Sequence, residues 1–325
     1  MRRILVLGGT GWLGREIARR ARDSGAEVVC LARGESGSAP DGVELVRADR
    51  SRPGAYDGVG GAWDEVVELA SEPQLVESAL NALADRAAHW TLVSTVSVYA
   101  DDSTPGADET APLVEPQNLA DYPDAKVAAE RVSAAAVGDR LLIARPGLIA
   151  GPGDPSDRLG YWPARLHRGG EVLSPTTSRR FVQFIDVEDL AAWIVGAGAA
   201  GLTGAFNAVG EVHTMDDFLR AAGSVAGFEG ELIAVEDERL LALDVHYWAG
   251  PRSLPLWLPL EAGGFAQRDG SAFVATGGRS RPVADTLTRV LADEISRGVD
   301  RPRRSGLTVE EEQDVLAAAR RSSAE

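Results

Sequence analysis

The sequence predicts a doubly wound α/β fold: a parallel sheet with helices on both faces, and a smaller C-terminal region interleaved with it. Three observations carry this expectation. Short apolar runs alternate with amphipathic stretches through the first half of the 325 residues. Those runs are continuous in Val, Ile and Leu, as strands covered on both faces require. A glycine-rich turn, Gly8-Gly9-Thr10-Gly11-Trp12-Leu13-Gly14, joins the first apolar run to the first amphipathic one.

Taken in order, the strands are expected at Arg3–Leu7, Glu27–Leu31, Val43–Val46, Glu65–Leu69, Thr91–Thr95 and Leu141–Ala144. Helices are expected between them at Trp12–Asp23, Pro73–Arg86 and Pro123–Ala136. Crossovers of this kind are right-handed by default. From Gly151 the chain changes character, with Gly151-Pro152-Gly153-Asp154-Pro155 and Tyr161-Trp162-Pro163. Another strand–helix unit follows at Phe181–Val195, then a mixed region from Gly204 to Arg281 that holds the Trp- and Pro-rich segment Tyr247 to Pro259. Two helices close the chain near Val283–Ile295 and Val309–Arg321. The second opens on Thr308-Val309-Glu310-Glu311, a spacing in which hydroxyl and carboxylate each satisfy an orphan amide. Residues 1–150 with about 181–203 are expected to form one domain, and about 151–180 with 204–325 the other.

Composition excludes several classes. Apolar residues make up 44% and charged residues 25%, ordinary for a globular chain. The net charge of −16 opposes nucleic acid or an anionic membrane as the main partner. The single cysteine, Cys30, leaves no intrachain disulfide and no Cys-based zinc site, and reads as buried and inert. The longest apolar stretch, Leu190 to Leu202, is too short to span a bilayer. The N-terminal run Ile4–Leu7 is too short for a signal peptide, so a cytoplasmic location is expected. The four histidines, His89, His167, His213 and His246, lack ligand spacing, and no metal is expected. There is no G-x-S-x-G elbow. Asp101-Asp102 and Asp154 with Asp157 read as solvated loop charges. Trp162, Trp248 and Trp257 read as core, with an aromatic pocket as the alternative.

The glycine turn has the spacing G-x-x-G-x-x-G, directly after a strand and before a helix. In that context Gly8 permits a tight turn, Gly11 lets backbone approach a pyrophosphate, and Gly14 lets the helix pack on the sheet. The helix N-terminus offers free amides to phosphate. A dinucleotide is the ligand this implies. The residue at the end of the second strand selects between cofactors. Here it is Ala32, with no carboxylate for a ribose, followed by Arg33, which suits a 2′-phosphate. NADP is therefore expected, with NAD as the alternative and a plain surface arginine as the bland reading. Asp49, after the third strand, is a candidate adenine contact or a simple loop carboxylate.

Tyr122-Pro123-Asp124-Ala125-Lys126 places a phenol and an ammonium one turn apart on a helix face. A phenol, with pKa about 10, is a poor acid or base at neutral pH, and a nearby ammonium lowers that value. Thr95, at the end of the fifth strand, supplies a hydroxyl where ligands of such sheets bind. Of 33 basic residues Lys126 is the only lysine. An amine at that point is thus a specific requirement, since arginine is the default base of this chain.

These residues together resemble the extended short-chain dehydrogenase/reductase superfamily, also called the NAD-dependent epimerase/dehydratase family, with its Rossmann-type fold. Supporting segments are Val93-Ser94-Thr95-Val96-Ser97-Val98-Tyr99, Arg145-Pro146-Gly147-Leu148-Ile149-Ala150-Gly151-Pro152 and Phe184-Ile185-Asp186-Val187-Glu188-Asp189-Leu190-Ala191. The likeness covers residues 1–210 well and the rest loosely. Within the family the chain is similar to actinobacterial proteins described only as reductase or isoflavone-reductase-like. The resemblance implies that Thr95 orients substrate, Tyr122 is the acid/base, and Lys126 binds the nicotinamide ribose. It also implies that Gly8, Thr10, Gly11, Trp12, Leu13, Gly14, Arg33, Asp49, Leu69, Ala70, Ser94, Tyr122, Lys126, Pro146 and Leu148 surround the cofactor. The C-terminal region would bind a small-molecule substrate, and the helices near 73–86 and 123–136 would pair in a homodimer.

Departures narrow the chemistry. Sugar-nucleotide dehydratases of the family carry Asp-Glu after the catalytic Thr, where this chain has Val96 and Ser97. Epimerases carry R-Y-F-N where this chain has Arg145-Pro146-Gly147-Leu148. Their diphosphate-binding arginine aligns with Val182, with Arg179 and Arg180 out of step. The implied activity is hydride transfer to or from a carbonyl/alcohol carbon. An NAD-retaining epimerase is the first alternative. A nucleotide-sensing or RNA-binding relative is the second, opposed by the intact Tyr/Lys pair and the charge.

Overall fold

A computed structural model describes residues 1–322. Its first half comprises β1 (Arg3–Leu7), α1 (Trp12–Asp23), β2 (Glu27–Ala32), β3 (Glu44–Arg47), β4 (Glu65–Glu68), α2 (Pro73–Leu83), β5 (Trp90–Val93), α3 (Tyr122–Val137), β6 (Leu141–Pro146) and β7 (Leu148–Ala150). Next come α4 (Arg158–His167), β8 (Glu171–Pro175), β9 (Phe181–Asp186), α5 (Val187–Ala199), β10 (Gly204–Ala208), β11 (Val212–Thr214) and α6 (Met215–Ala226). The chain closes with β12 (Glu231–Val235), α7 (Asp237–Ala242), β13 (His246–Trp248), β14 (Ser253–Pro255), α8 (Ser271–Ala275), α9 (Val283–Arg297) and α10 (Val309–Ser322).

Contacts divide the chain into two units. The first holds residues 1–148, 187–210 and 268–280. Its sheet has seven strands in the order β10-β6-β5-β4-β1-β2-β3, every pair parallel. This is the expected doubly wound fold, and the strand order reverses between β1 and β4. The interior strands are apolar because both faces are covered: Leu5, Leu7, Leu31, Val66 and Leu92 are fully buried. On one face α2 and α3 seal the core with Val76, Ala79, Leu80, Leu83, Ala129 and Val137. On the other, α1 lies against α5.

Two fully buried carboxylates stand at the two ends of β4. Glu65 accepts from Arg2 (2.8 Å) and Thr91 (2.9 Å), and Glu68 is held by Arg50. Buried charge persists only when paired in this way. The seventh strand, β10, was not anticipated, since Gly-Ala-Phe-Asn-Ala carries little strand signal. It is held by register with β6 and by packing of Phe206 on Trp193, which in turn meets Phe273 of α8.

The second unit holds residues 149–186, 211–267 and, of the described residues, 281–322. The strand–helix unit expected at Phe181–Val195 is present as β9 and α5; β9 pairs with β7 and β11, and α5 falls in the first unit. The expected capping box is present, with Thr308 N donating to Glu311 (2.8 Å) and Glu311 N to Thr308 Oγ1 (3.2 Å). Two expectations are corrected. Asp154 and Asp157 are buried, not solvated: Asp154 accepts from Ser156 N and Oγ, and Asp157 from Arg301 and the Arg304 amide. Asp102, in the first unit, is half-covered by its pair with Arg268. Trp162 and Trp257 are core, while Trp248 is partly exposed beside Phe265. Among the described residues no helix is long and apolar enough to cross a membrane.

Candidate active site

The glycine turn leaves β1 beside the point where strand order reverses. Gly8 has φ +91°, a conformation open to glycine and closed to most side chains. Gly14 sits where the helix meets the turn. A Cβ there would overlap the Gly8 carbonyl oxygen and stand 2.9 Å from both Gly9 Cα and Leu69 Cδ1. Gly9, which sequence reasoning left without a role, has Cys30 Sγ where its Cβ would be. Burial pushes the Cys30 thiol up to about 12, consistent with an inert floor under the turn. Gly11 caps α1 with no side-chain hydrogen bond, and the first turn carries no acidic residue. The positive dipole end of α1 thus meets no carboxylate of its own first turn and favours an anion. Thr10 is buried in this turn, with Trp12 and Leu13 partly buried on the first turn of α1.

Lys126 is 2% exposed. Its Nζ donates to the carbonyls of Val93 (2.7 Å) and Ala70 (3.0 Å), at the ends of β5 and β4. Burial lowers it to about 8, against the opposing pull of Glu68, Glu72 and Glu130. It thus carries its proton at neutral pH without being solvated. The Tyr122 ring centroid lies 6.0 Å from Nζ, and the tyrosine is 47% exposed, so a buried cation stands near a half-exposed aromatic ring. The helix starts there because Pro123 fits its first turn and Asp124 gathers the Gln117 and Asn118 amides at 2.6 and 2.8 Å.

Thr95 caps the short turn Val96–Val98. Its Oγ1 accepts from Ser97 N (3.1 Å) and donates to Ser97 Oγ (3.2 Å). Next to it, Ser94 Oγ is buried with no protein partner among the described residues. Such an orphaned hydroxyl beside a lysine, with a glycine cradle made for close approach, fits a nicotinamide dinucleotide. Pro146 and Leu148 are buried on either side of Gly147, whose backbone packs toward Val96. Leu69 lies against Gly8, and Ala70 is partly buried beside it.

At the far edge Arg33 is exposed, its guanidinium 3.2 Å from Glu35. Asp49 turns back on its own loop, accepting from Ser51 N (3.0 Å) and Oγ (2.7 Å). These hydrogen bonds hold its carboxyl below the usual carboxylate range.

Sequence reasoning missed four residues here. Arg47 pairs in register with Ala32, and its Nε lies 3.1 Å from where a Cβ on Gly34 would stand. Arg15 reaches Gly37 of the same loop. Arg33, Arg47 and Arg15 thus surround the loop after β2. The register that aligns Arg47 with Ala32 is the signal that finds it. The buried pair Arg50–Glu68 sets the turn holding Leu69 and Ala70, because Glu68 Oε1 also accepts from Ala70 N (2.8 Å). No local pattern reveals that pair.

No curated protein matches the chain. Its fold is similar to that of a candidate epimerase from Burkholderia cenocepacia J2315, at 22% identity, covering 90% of this chain and 98% of that one, with TM-score 0.72. It is similar to UDP-glucose 4-epimerase of Thermus thermophilus in complex with NAD, at 19% identity, 90% and 98% coverage and TM-score 0.64. It is also similar to RMD from Pseudomonas aeruginosa complexed with NADPH, at 19% identity, 92% and 100% coverage and TM-score 0.63. The model of the NAD dependent epimerase/dehydratase family matches residues 4–208, which span the glycine turn, Thr95, Tyr122 and Lys126. The chain belongs to that family, whose members use a nicotinamide cofactor on small-molecule substrates.

Proposed function

We propose that this chain is an oxidoreductase that interconverts a carbonyl and an alcohol on a small organic substrate, with NADP as its preferred cofactor. The observation that carries the reading is that the only lysine is buried on the Val93 and Ala70 carbonyls, at the end of β5 and just past that of β4, with its Nζ 6.0 Å from the ring of a half-exposed tyrosine. The nicotinamide, when bound, supplies or accepts hydride at the substrate carbon. Tyr122 moves the proton at the substrate oxygen, and Thr95 holds that oxygen by a hydrogen bond. Lowering a phenol by about three pH units requires roughly 4 kcal/mol of preferential stabilisation of the phenolate. The Lys126 ammonium, in a dry seat, contributes to that stabilisation.

Arg33, Arg47 and Arg15 favour a cofactor with a 2′-phosphate. A substrate without a nucleoside diphosphate is favoured by the second unit. Val182 is buried where diphosphate-binding relatives carry arginine. Arg180 is itself buried, donating to Asp237 (2.5 Å), the Thr176 carbonyl (2.8 Å) and the Leu258 carbonyl.

A second reading is an epimerase that retains NAD. Glu35 beside Arg33 favours it, since a carboxylate there repels a 2′-phosphate and can accept from a ribose hydroxyl. The test is a panel of carbonyl compounds with NADPH and NADH, followed at 340 nm, together with the absorbance of the protein as purified. Carbonyl-dependent NADPH oxidation that falls about 10²-fold or more in Tyr122→Phe supports the first reading. Tightly held NAD with no turnover of added cofactor supports the second. Turnover unchanged in Tyr122→Phe overturns the assignment of the acid/base.

A further inference from the structure

Tyr122, Lys126 and Glu130 follow one another at intervals of four on α3, so they form one stripe of the helix. Glu130 is buried, and its carboxylate receives a two-pronged contact from Arg145 of β6, Nε to Oε1 at 3.0 Å and an Nη to Oε2 at 2.7 Å. The other Nη of the same guanidinium donates to the Tyr99 hydroxyl (3.1 Å). Tyr99 directly follows the short turn that Thr95 caps. Burial first of all keeps the Tyr99 phenol protonated, so its hydroxyl accepts from Arg145 while donating to Asn207 Oδ1 of β10 (2.5 Å). Asn207 Nδ2 in turn donates to the Asp269 carbonyl (3.0 Å).

We propose that the Glu130–Arg145 pair is a positioning joint: it fixes the roll of α3, seating Lys126 between the Ala70 and Val93 carbonyls, and through Tyr99 it ties that helix to the turn that presents Thr95. Glu130 and Arg145 touch no reacting atom in this scheme. Only arginine serves at 145, because its planar fork sends N–H groups in fixed directions to Glu130, to the Tyr99 hydroxyl and, at 3.5 Å, to the Glu109 carbonyl. Lysine offers a point charge and no fork. The functional weight of the joint rests on the reading of Tyr122 and Lys126 given above, but its mechanical role does not.

That independence makes a direct test available. As the sole lysine, Lys126 gives a single side-chain signal when the full-length chain is labelled with lysine carrying 13C at the ε carbon, and its titration is followed by NMR without substrate or cofactor. The charged groups around Nζ are Glu68 of β4, Glu72 before α2, and Glu130 on its own helix, with the Tyr122 phenol alongside. The variant Glu130→Gln sets two effects against each other. Removal of a nearby negative charge alone lowers the lysine midpoint. Loss of position releases the ammonium to water and raises it, toward the ordinary value of about 10.4. The joint predicts a rise of about one pH unit or more.

Glu130→Asp keeps the charge and shortens the reach, so the same rise is expected there if the glutamine variant does not fold. Circular dichroism verifies folding for each. A midpoint unchanged or lowered in a folded variant, whatever its loss of thermal stability, overturns the proposal and leaves the pair as ordinary core. Titration of the wild type with NADPH, read by protein fluorescence, tests the functional reading separately. Its failure would not alter the lysine result.

Discussion

Replacing Gly14 by alanine sets helix propensity against packing, and the sign of the result decides which describes the turn. Position 14 lies inside α1, where alanine is the better helix former by about 0.8–1.0 kcal/mol. An open site would therefore be stabilised. The site is not open: two of the three atoms crowding the new methyl, the Gly8 carbonyl oxygen and Gly9 Cα, are backbone and cannot swing aside. Overpacking costs about 1–3 kcal/mol, and backbone crowding places this case at the upper end. The net expectation is a loss of about 2 kcal/mol, measured by urea denaturation of the full chain followed by circular dichroism.

Gly11 is the contrasting position. Its φ of −71° is ordinary, and a Cβ there would stand 3.4 Å from the Gly8 carbonyl oxygen. Gly11→Ala should change stability by no more than about 0.5 kcal/mol. It should nevertheless weaken NADPH binding by about tenfold or more, because the methyl occupies the path of the pyrophosphate. Gly14→Ala at or above wild-type stability would refute the packing argument. Gly11→Ala with wild-type affinity for NADPH would refute the cradle.

Three further outcomes are expected. Arg33→Ser should weaken NADPH about tenfold and leave NADH nearly unchanged, and Ala32→Asp should reverse the preference; equal affinities in the wild type that Arg33→Ser leaves alone would reduce Arg33 to a surface arginine. His89 is buried with Nε2 donating to the Leu202 carbonyl (2.8 Å) and Nδ1 3.7 Å from Glu65. Burial opposes its charge, Glu65 and Leu202 outweigh that, and the net direction is upward. A raised folded value means stability fully present below the unfolded value of about 6.5 and lost as pH climbs through the folded one. Urea midpoints from about pH 5.5 to 8.5 should fall across that window in the wild type and lose that component in His89→Gln; identical slopes would refute it. For the homodimer we propose from the resemblance, velocity sedimentation at micromolar concentration should give a species of twice the chain mass, and a single 34.3 kDa species overturns it.

What the sequence made legible was what neighbouring residues encode. Runs such as Ile4-Leu5-Val6-Leu7 announce doubly covered strands, and Gly8, Gly11 and Gly14 mark where backbone must come close. The i, i+4 pair of Tyr122 and Lys126 is equally local. What stayed hidden depends on partners far along the chain. Glu65 and Glu68 look like surface residues of a strand until Arg2, Thr91 and Arg50 are placed beside them. Asp157 looks like a loop charge until Arg301, 144 residues on, arrives. Strand β10 is weak in its own sequence and is made a strand by β6. Arg47 became a cofactor candidate only through its register with Ala32. Long-range charge pairing and strand register are properties of the folded chain, and no short window contains them.

The chain passes between its two units after residues 148, 186, 210, 267 and 280. The last return is short, yet it supplies Arg268, which holds the Asp101 carbonyl and Asp102, and Phe273, which lies against Trp193. All seven strands of the large sheet have been made by residue 208, but its covering is incomplete until residue 280 has left the ribosome. A gene cut after the segment that bears every proposed catalytic group would therefore encode a sheet with an unfilled apolar face. For the same reason the smaller unit is not a cassette: grafting it onto a relative means re-routing the chain at five junctions.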